Sequence, residues 1–204
     1  MTSEAAEGQN GHALFSVRTI ATTSALLVSL AAIVLLLRRV GARSLLESPY
    51  TVVTQALAGV AVGATLAGAQ LLLLRVWGRW REYTRDATRS VRLTTAQVVS
   101  IAFMVAVAEE LFFRAAIQPL LGIWLASAFF ALVHLRPDRE AWARERLAFA
   151  LVTLLLLFGV STSLGFVYAR VGLVSAVAGH FVYDVIVLQG YQRLHAPRAH
   201  VAKP

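Results

Sequence analysis

Thr19 to Leu37 is a 19-residue uncharged, largely apolar run, and nothing else in the chain restricts its folding as much. As a helix rising 1.5 Å per residue it reaches about 28 Å, roughly the thickness of a bilayer's hydrocarbon core. Arg38 and Arg39 follow it with no small-residue cleavage site, so it reads as a retained helix rather than a signal peptide. Further apolar blocks run over Thr51–Leu74, Thr95 to about Gln118, Ile123–Leu135, Leu147–Ala169 and Leu173–Leu188. The expected fold is therefore all-α, a multi-pass transmembrane helical bundle of about six spans. Only 15% of residues are charged, against roughly a quarter in soluble domains, and mean hydropathy is +0.67.

The net charge of +8 does not indicate nucleic-acid binding, because the arginines lie between the apolar blocks, where membrane orientation puts them. With six spans, one side holds 14 Lys and Arg residues and the other four, Arg38, Arg39, Arg43 and Arg170. That asymmetry predicts cytoplasmic termini in a multi-pass protein of the bacterial cytoplasmic membrane. The bacterial source is read from the Arg- and Ala-rich composition. Arg75–Arg92 carries six arginines interleaved with Trp77, Trp80 and Tyr83. It reads either as an interfacial helix or as a solvated basic loop. Residues 1–17 read as a disordered tail, 18–188 as one membrane domain, and 189–204 as a polar tail. The absence of cysteine removes disulfides, thiolate nucleophiles and thiolate metal sites.

Charge inside an apolar span marks a functional site by default. The third span contains Ala106-Val107-Ala108-Glu109-Glu110-Leu111-Phe112-Phe113-Arg114. Glu110 and Arg114, four apart with the acid first, suit an ion pair on one helix face. Glu109 points about 100° away, which leaves it free for chemistry. His134 closes the fourth span four residues after Phe130, and His180 and Asp184 lie one turn apart in the sixth. Measured from the turns near Gln118–Gly122 and at Gly172, Glu109, His134 and His180 fall within about two helical turns of a common depth. Ser127 and Ser175 are further polar candidates. Small hydroxyls are common in membrane helices, and a non-functional role is the plainer reading for Ser127. Phe130 reads first as packing, and His12, His195 and His200 as solvated tail residues.

Glutamate and histidine together support hydrolysis in two ways. A carboxylate and an imidazole can deprotonate water while a second imidazole and a polar neighbour stabilise the oxyanion. Alternatively, Glu109, His134 and His180 would hold a divalent metal such as zinc. The residue set leaves both schemes open, so the cofactor is none or a metal. Gly-x-Ser-x-Gly, His-Glu-x-x-His and a Gly-Asp pair within a span are all absent.

Glu109-Glu110-x-x-x-Arg114, Phe130-x-x-x-His134 and His180-x-x-x-Asp184, in that order and in separate spans, resemble the three motifs of the CPBP family. That family comprises the type II CAAX prenyl endopeptidases and bacterial Abi-like relatives linked to bacteriocin processing or immunity. The resemblance covers Ala106–Leu188. It implies an intramembrane endopeptidase in CAAX-type protein or peptide maturation, acting on a protein or peptide substrate reached within the lipid membrane. It also implies roles: Glu109 and His134 activating water, His180 and Asp184 at the oxyanion, and Glu110, Arg114 and Phe130 supporting substrate or fold. The family's third motif often ends in Asn, whereas this chain has Asp184. An ionised carboxylate only accepts hydrogen bonds. The competing expectation is a non-catalytic membrane protein, an immunity-like scaffold or proton-linked transporter using the same cluster.

Overall fold

The computed structural model describes residues 17–88, 93–134 and 144–195. The expected N-terminal tail, Arg89 and Arg92, the loop from Leu135 through Asp138 to 143, and the chain from 196, with His12 and His200, lie outside the described residues. Seven α-helices run in order: α1 (Val17–Leu37), α2 (Val52–Val76), α3 (Gly78–Ala87), α4 (Thr95–Glu109), α5 (Gln118–Val133), α6 (Arg144–Val171) and α7 (Leu173–Arg193). A π-helical segment, Glu110–Ile117, joins α4 to α5. There is no strand among the described residues.

Among the described residues, five helical stretches are long and apolar enough to cross a membrane: Arg18–Leu37, Val52–Val76, Thr95–Val133, Leu147–Val171 and Leu173–Arg193. This is the build of a multi-pass membrane protein. The expected third and fourth spans both appear within Thr95–Val133, the fourth short, with the turn between them where the sequence places it. That stretch is broken at Gly122, whose φ of 76° and ψ of 171° are non-helical. Pro119 starts the break by lacking an N–H, and Gly122 completes it in a backbone region that side chains disfavour. A straight helix would put His134 about 37 Å from Glu109. The fold at Gly122 brings their side chains to 3.5 Å.

Local signals set the helix starts. Thr94 and Gln97 form a reciprocal capping box on α4, at 3.2 and 2.8 Å. Thr51 caps α2 through the Thr54 amide. The basic stretch after α2 is helical over α3. Trp77, Trp80, Tyr83 and Phe149 of α6 stack with centroids 4.9–6.1 Å apart, while Arg79, Arg81 and Arg85 are exposed.

The closest helix pair is α2 with α7. A Cβ on Gly59 would overlap the Ser175 carbonyl, and one on Gly63 the Gly179 carbonyl. Small residues let membrane helices approach backbone to backbone in this way. The sixth span runs to Arg193 rather than Leu188, since Gln70 of α2 donates to the Tyr191 hydroxyl at 2.9 Å. His195, expected to be solvated, instead meets the Thr88 hydroxyl at 3.1 Å. Two apolar clusters flank the polar centre. One joins Ala31 and Leu35 of α1 to Phe112, Phe113 and Phe130. The other joins Ala67, Val160, Leu164, Tyr183 and Val187.

Candidate active site

The π segment begins one residue after Glu109. Its wider i→i+5 bonding, as in the Gln118 amide to the Phe113 carbonyl, re-phases the side chains that follow. Glu110 and Arg114 both have fully buried side chains, and the Arg114 Nε donates to Glu110 Oε2 at 2.9 Å. Arg114 Nη2 donates to the Ser161 hydroxyl of α6, also at 2.9 Å. A charge this deep survives only when paired and hydrogen-bonded, and Ser161 supplies the bond that sequence reading missed. The run Ser161-Thr162-Ser163 inside an apolar span was its available signal. Gln118 completes this wall by donating to the Gly165 carbonyl at 3.0 Å.

His180 stands between the two carboxylates. Its Nδ1 meets Glu110 Oε1 at 2.8 Å, while its Nε2 lies 3.8 Å from Glu109 Oε2 and 3.5 Å from Asp184 Oδ2. Glu110 is thus fixed to both Arg114 and His180, a wider role than the i,i+4 spacing alone suggested. His134 Nε2 approaches Glu109 Oε1 at 3.5 Å. Its Nδ1 lies 2.7 Å from the Phe130 carbonyl. A carbonyl only accepts, so Nδ1 carries a proton; in the neutral ring Nε2 is then the acceptor, and in the protonated ring it donates toward Glu109. Phe130 is more than filler: its ring centroid lies 4.4 Å from that of His134 and 6.1 Å from that of His180. The Arg114 guanidinium carbon is 5.8 Å from the same ring.

Exposure divides the cluster. The Glu110 and Arg114 side chains are sealed, whereas His134 is 33% and Asp184 21% exposed. Glu109 Oε2 is buried without a hydrogen-bond partner. An apolar cavity of about 270 Å³ lies among α1, α4 and α7, lined by Ile20, Ile101, Val105 and Leu188, and Asp184 of the cluster is in its wall. Thr88, Leu93 and His195 also line it, so the start of α1 and the end of α7 lie at one end of the bundle.

Ser175 bonds the Gly172 and Val167 carbonyls at 2.6 and 3.3 Å, a role in starting α7. Ser127 is fully buried, and its hydroxyl makes no hydrogen bond to the cluster. No three His, Asp or Glu side chains among the described residues are grouped to hold a metal ion. Among Glu109, His134 and His180, both histidine Nδ1 atoms are engaged by protein acceptors, and the Nε2 atoms face Glu109 from 3.5 and 3.8 Å.

The chain is 31% identical over 90 residues to the uncharacterized protein YpbD of Bacillus subtilis (strain 168). That alignment covers 44% of this chain and 42% of the relative, so the chain spans less than half of that protein's length. No solved structure matches. All the motif residues, Glu109 through Asp184, fall inside residues 90–186, the stretch that matches the family of Rce1-like type II CAAX prenyl endopeptidases.

Proposed function

We propose that this chain is an intramembrane endopeptidase in which Glu109 and His134 activate the hydrolytic water. The carrying observation is the placement of Glu109: its Oε2 is buried and unbonded, with His180 Nε2 3.8 Å from Oε2 and His134 Nε2 3.5 Å from Oε1. A water there has a carboxylate and a lone-pair nitrogen to accept its protons. Its oxygen adds to the scissile carbonyl carbon, and the released proton is held by Glu109 and His134. Collapse of the tetrahedral intermediate breaks the C–N bond, with that proton delivered to the leaving amine.

His180 and Asp184 face the same space and are assigned to the oxyanion. With the His180 Nδ1 proton given to Glu110, its Nε2 donates only when the ring carries both protons. Glu110, held by Arg114, then positions that ring. The cavity among α1, α4 and α7 suits an apolar stretch of substrate, consistent with a membrane-borne protein or peptide of the CAAX type. Arg18, Arg75, Arg79, Arg81, Arg85 and Arg193 lie toward the end of the bundle holding both described termini, which supports a cytoplasmic placement of that end.

The test is cleavage of a membrane-anchored peptide library by protein purified in detergent, with and without chelator and with metal content measured. Cleavage should survive chelation and vanish in Glu109→Ala, while that variant keeps its melting transition. Unaltered cleavage by Glu109→Ala would refute the assignment. Its loss on chelation, restored by zinc, would overturn the metal-free scheme. A wild type that cleaves nothing, with a phenotype sensitive to Glu110→Ala but not Glu109→Ala, would favour the scaffold.

A further inference from the structure

The π segment carrying Glu110 and Arg114 ends against Pro119, and its backbone bonding is incomplete there. Pro119 has no N–H, so the i→i+5 ladder that places the Gln118 amide on the Phe113 carbonyl cannot continue to the Arg114 carbonyl. Buried backbone acceptors need partners or carry a penalty. Beside this break a donor comes from α1: Arg38 Nη1 bonds the Ala115 carbonyl at 2.9 Å and the Ala116 carbonyl at 3.4 Å.

The end of α1 is shaped to aim that side chain. The Val40 amide bonds the Leu35 carbonyl and the Arg39 amide the Leu36 carbonyl, both at 2.9 Å, the two bonds of a Schellman closure. Arg38 is then the C-cap, and Arg39 takes the left-handed position with φ of 57°, a place where glycine is usual. Val40 and Leu35 pack in the same apolar cluster as Phe112, Phe113, Ala115 and Ala116. The arginine is therefore anchored on both sides of the bond it makes.

We propose that Arg38 is a positioning residue for the active site. It ties the end of the π segment to α1 beside the break at Pro119, and so holds in place the segment that carries Glu110 and Arg114. It lies outside residues 90–186, so the segment bearing the first motif depends on a helix beyond the family match. The catalytic consequence rests on the protease reading above; the structural one does not.

Two measurements on the full chain in detergent separate these. Amide hydrogen exchange over residues 110–121 should accelerate about tenfold or more in Arg38→Ala, as expected for loss of a charged hydrogen bond, with peptides of α2 and α7 unchanged. In cleavage assays, kcat should fall about tenfold or more with KM nearly constant, because Glu109 is displaced while the substrate cavity is not. Arg38→Lys should recover part of both losses. Unchanged exchange over residues 110–121 in Arg38→Ala, or exchange accelerated equally in α2 and α7, would overturn the proposal. A rise in KM with kcat unchanged would make Arg38 a substrate contact instead. If wild type cleaves nothing, accelerated exchange still supports the role of Arg38, and it is the protease reading that fails.

Discussion

Glu109 and Glu110 are one peptide bond apart and occupy opposite kinds of surroundings. Glu110 is sealed, with both oxygens committed, one to Arg114 and one to His180, and Arg114 is tied on to Ser161. Glu109 keeps one oxygen unbonded, faces a ring that is a third exposed, and meets through His180 the Asp184 of the cavity wall. The first half resembles a strut and the second a workbench. The difference teaches that pairing and openness have been separated onto adjacent residues, so that the cost of burying charge is met at Glu110, away from the residue proposed above to react.

That contrast breaks most sharply at Arg114. Arg114→Ala leaves the Glu110 carboxylate buried and half-paired, and should cost about 3–5 kcal/mol, read as loss of folded protein in detergent melting curves. Glu109→Gln should leave the same curves unmoved; equal destabilisation by both would erase the division. Ser161→Ala removes one charge-assisted bond and should cost about 1.5–3 kcal/mol, with residual cleavage in the folded fraction at the wild-type rate. A rate loss without a stability loss would move Ser161 into the chemistry. The smallest effect is expected from Asp184→Asn. Its amide can donate to an oxyanion where an ionised carboxylate cannot, so cleavage should persist at a similar or higher rate with stability unchanged. Abolished cleavage would make the Asp184 charge essential, acting through His180 at 3.5 Å.

Much of this was legible in the chain. Hydropathy alone marks the spans, because lipid forces long apolar helices, and the i,i+4 spacing of Glu110 and Arg114 marks their pair. Depth counting from Gly122 and Gly172 anticipates that Glu109, His134 and His180 share a level, since rise per residue is nearly constant. The π segment was not legible: eight residues rich in Leu, Phe and Ala fit a regular α-helix equally well. Arg38 looked like a loop charge opposing the orientation rule, yet its side chain is bound to the π segment. His195 looked like a solvated tail residue, because nothing local reveals that α7 continues past Leu188 toward Thr88. These misses share one cause: each depends on a contact between segments far apart in sequence.

The glycine seam between α2 and α7 has its own consequence. His180 directly follows Gly179, whose carbonyl faces Gly63 of α2 with no room for a methyl group. Such a fit works as a key cut to one notch, since sliding α7 by a turn would drive side chains into the α2 backbone. The height of His180 relative to Glu109 is therefore held by α2, a helix lying wholly before the family-matched stretch 90–186. The motifs are contiguous on paper, but the machine they describe is not a portable cassette. Transplanting residues 90–186 into another membrane scaffold would carry over the catalytic vocabulary without the ruler that spaces it.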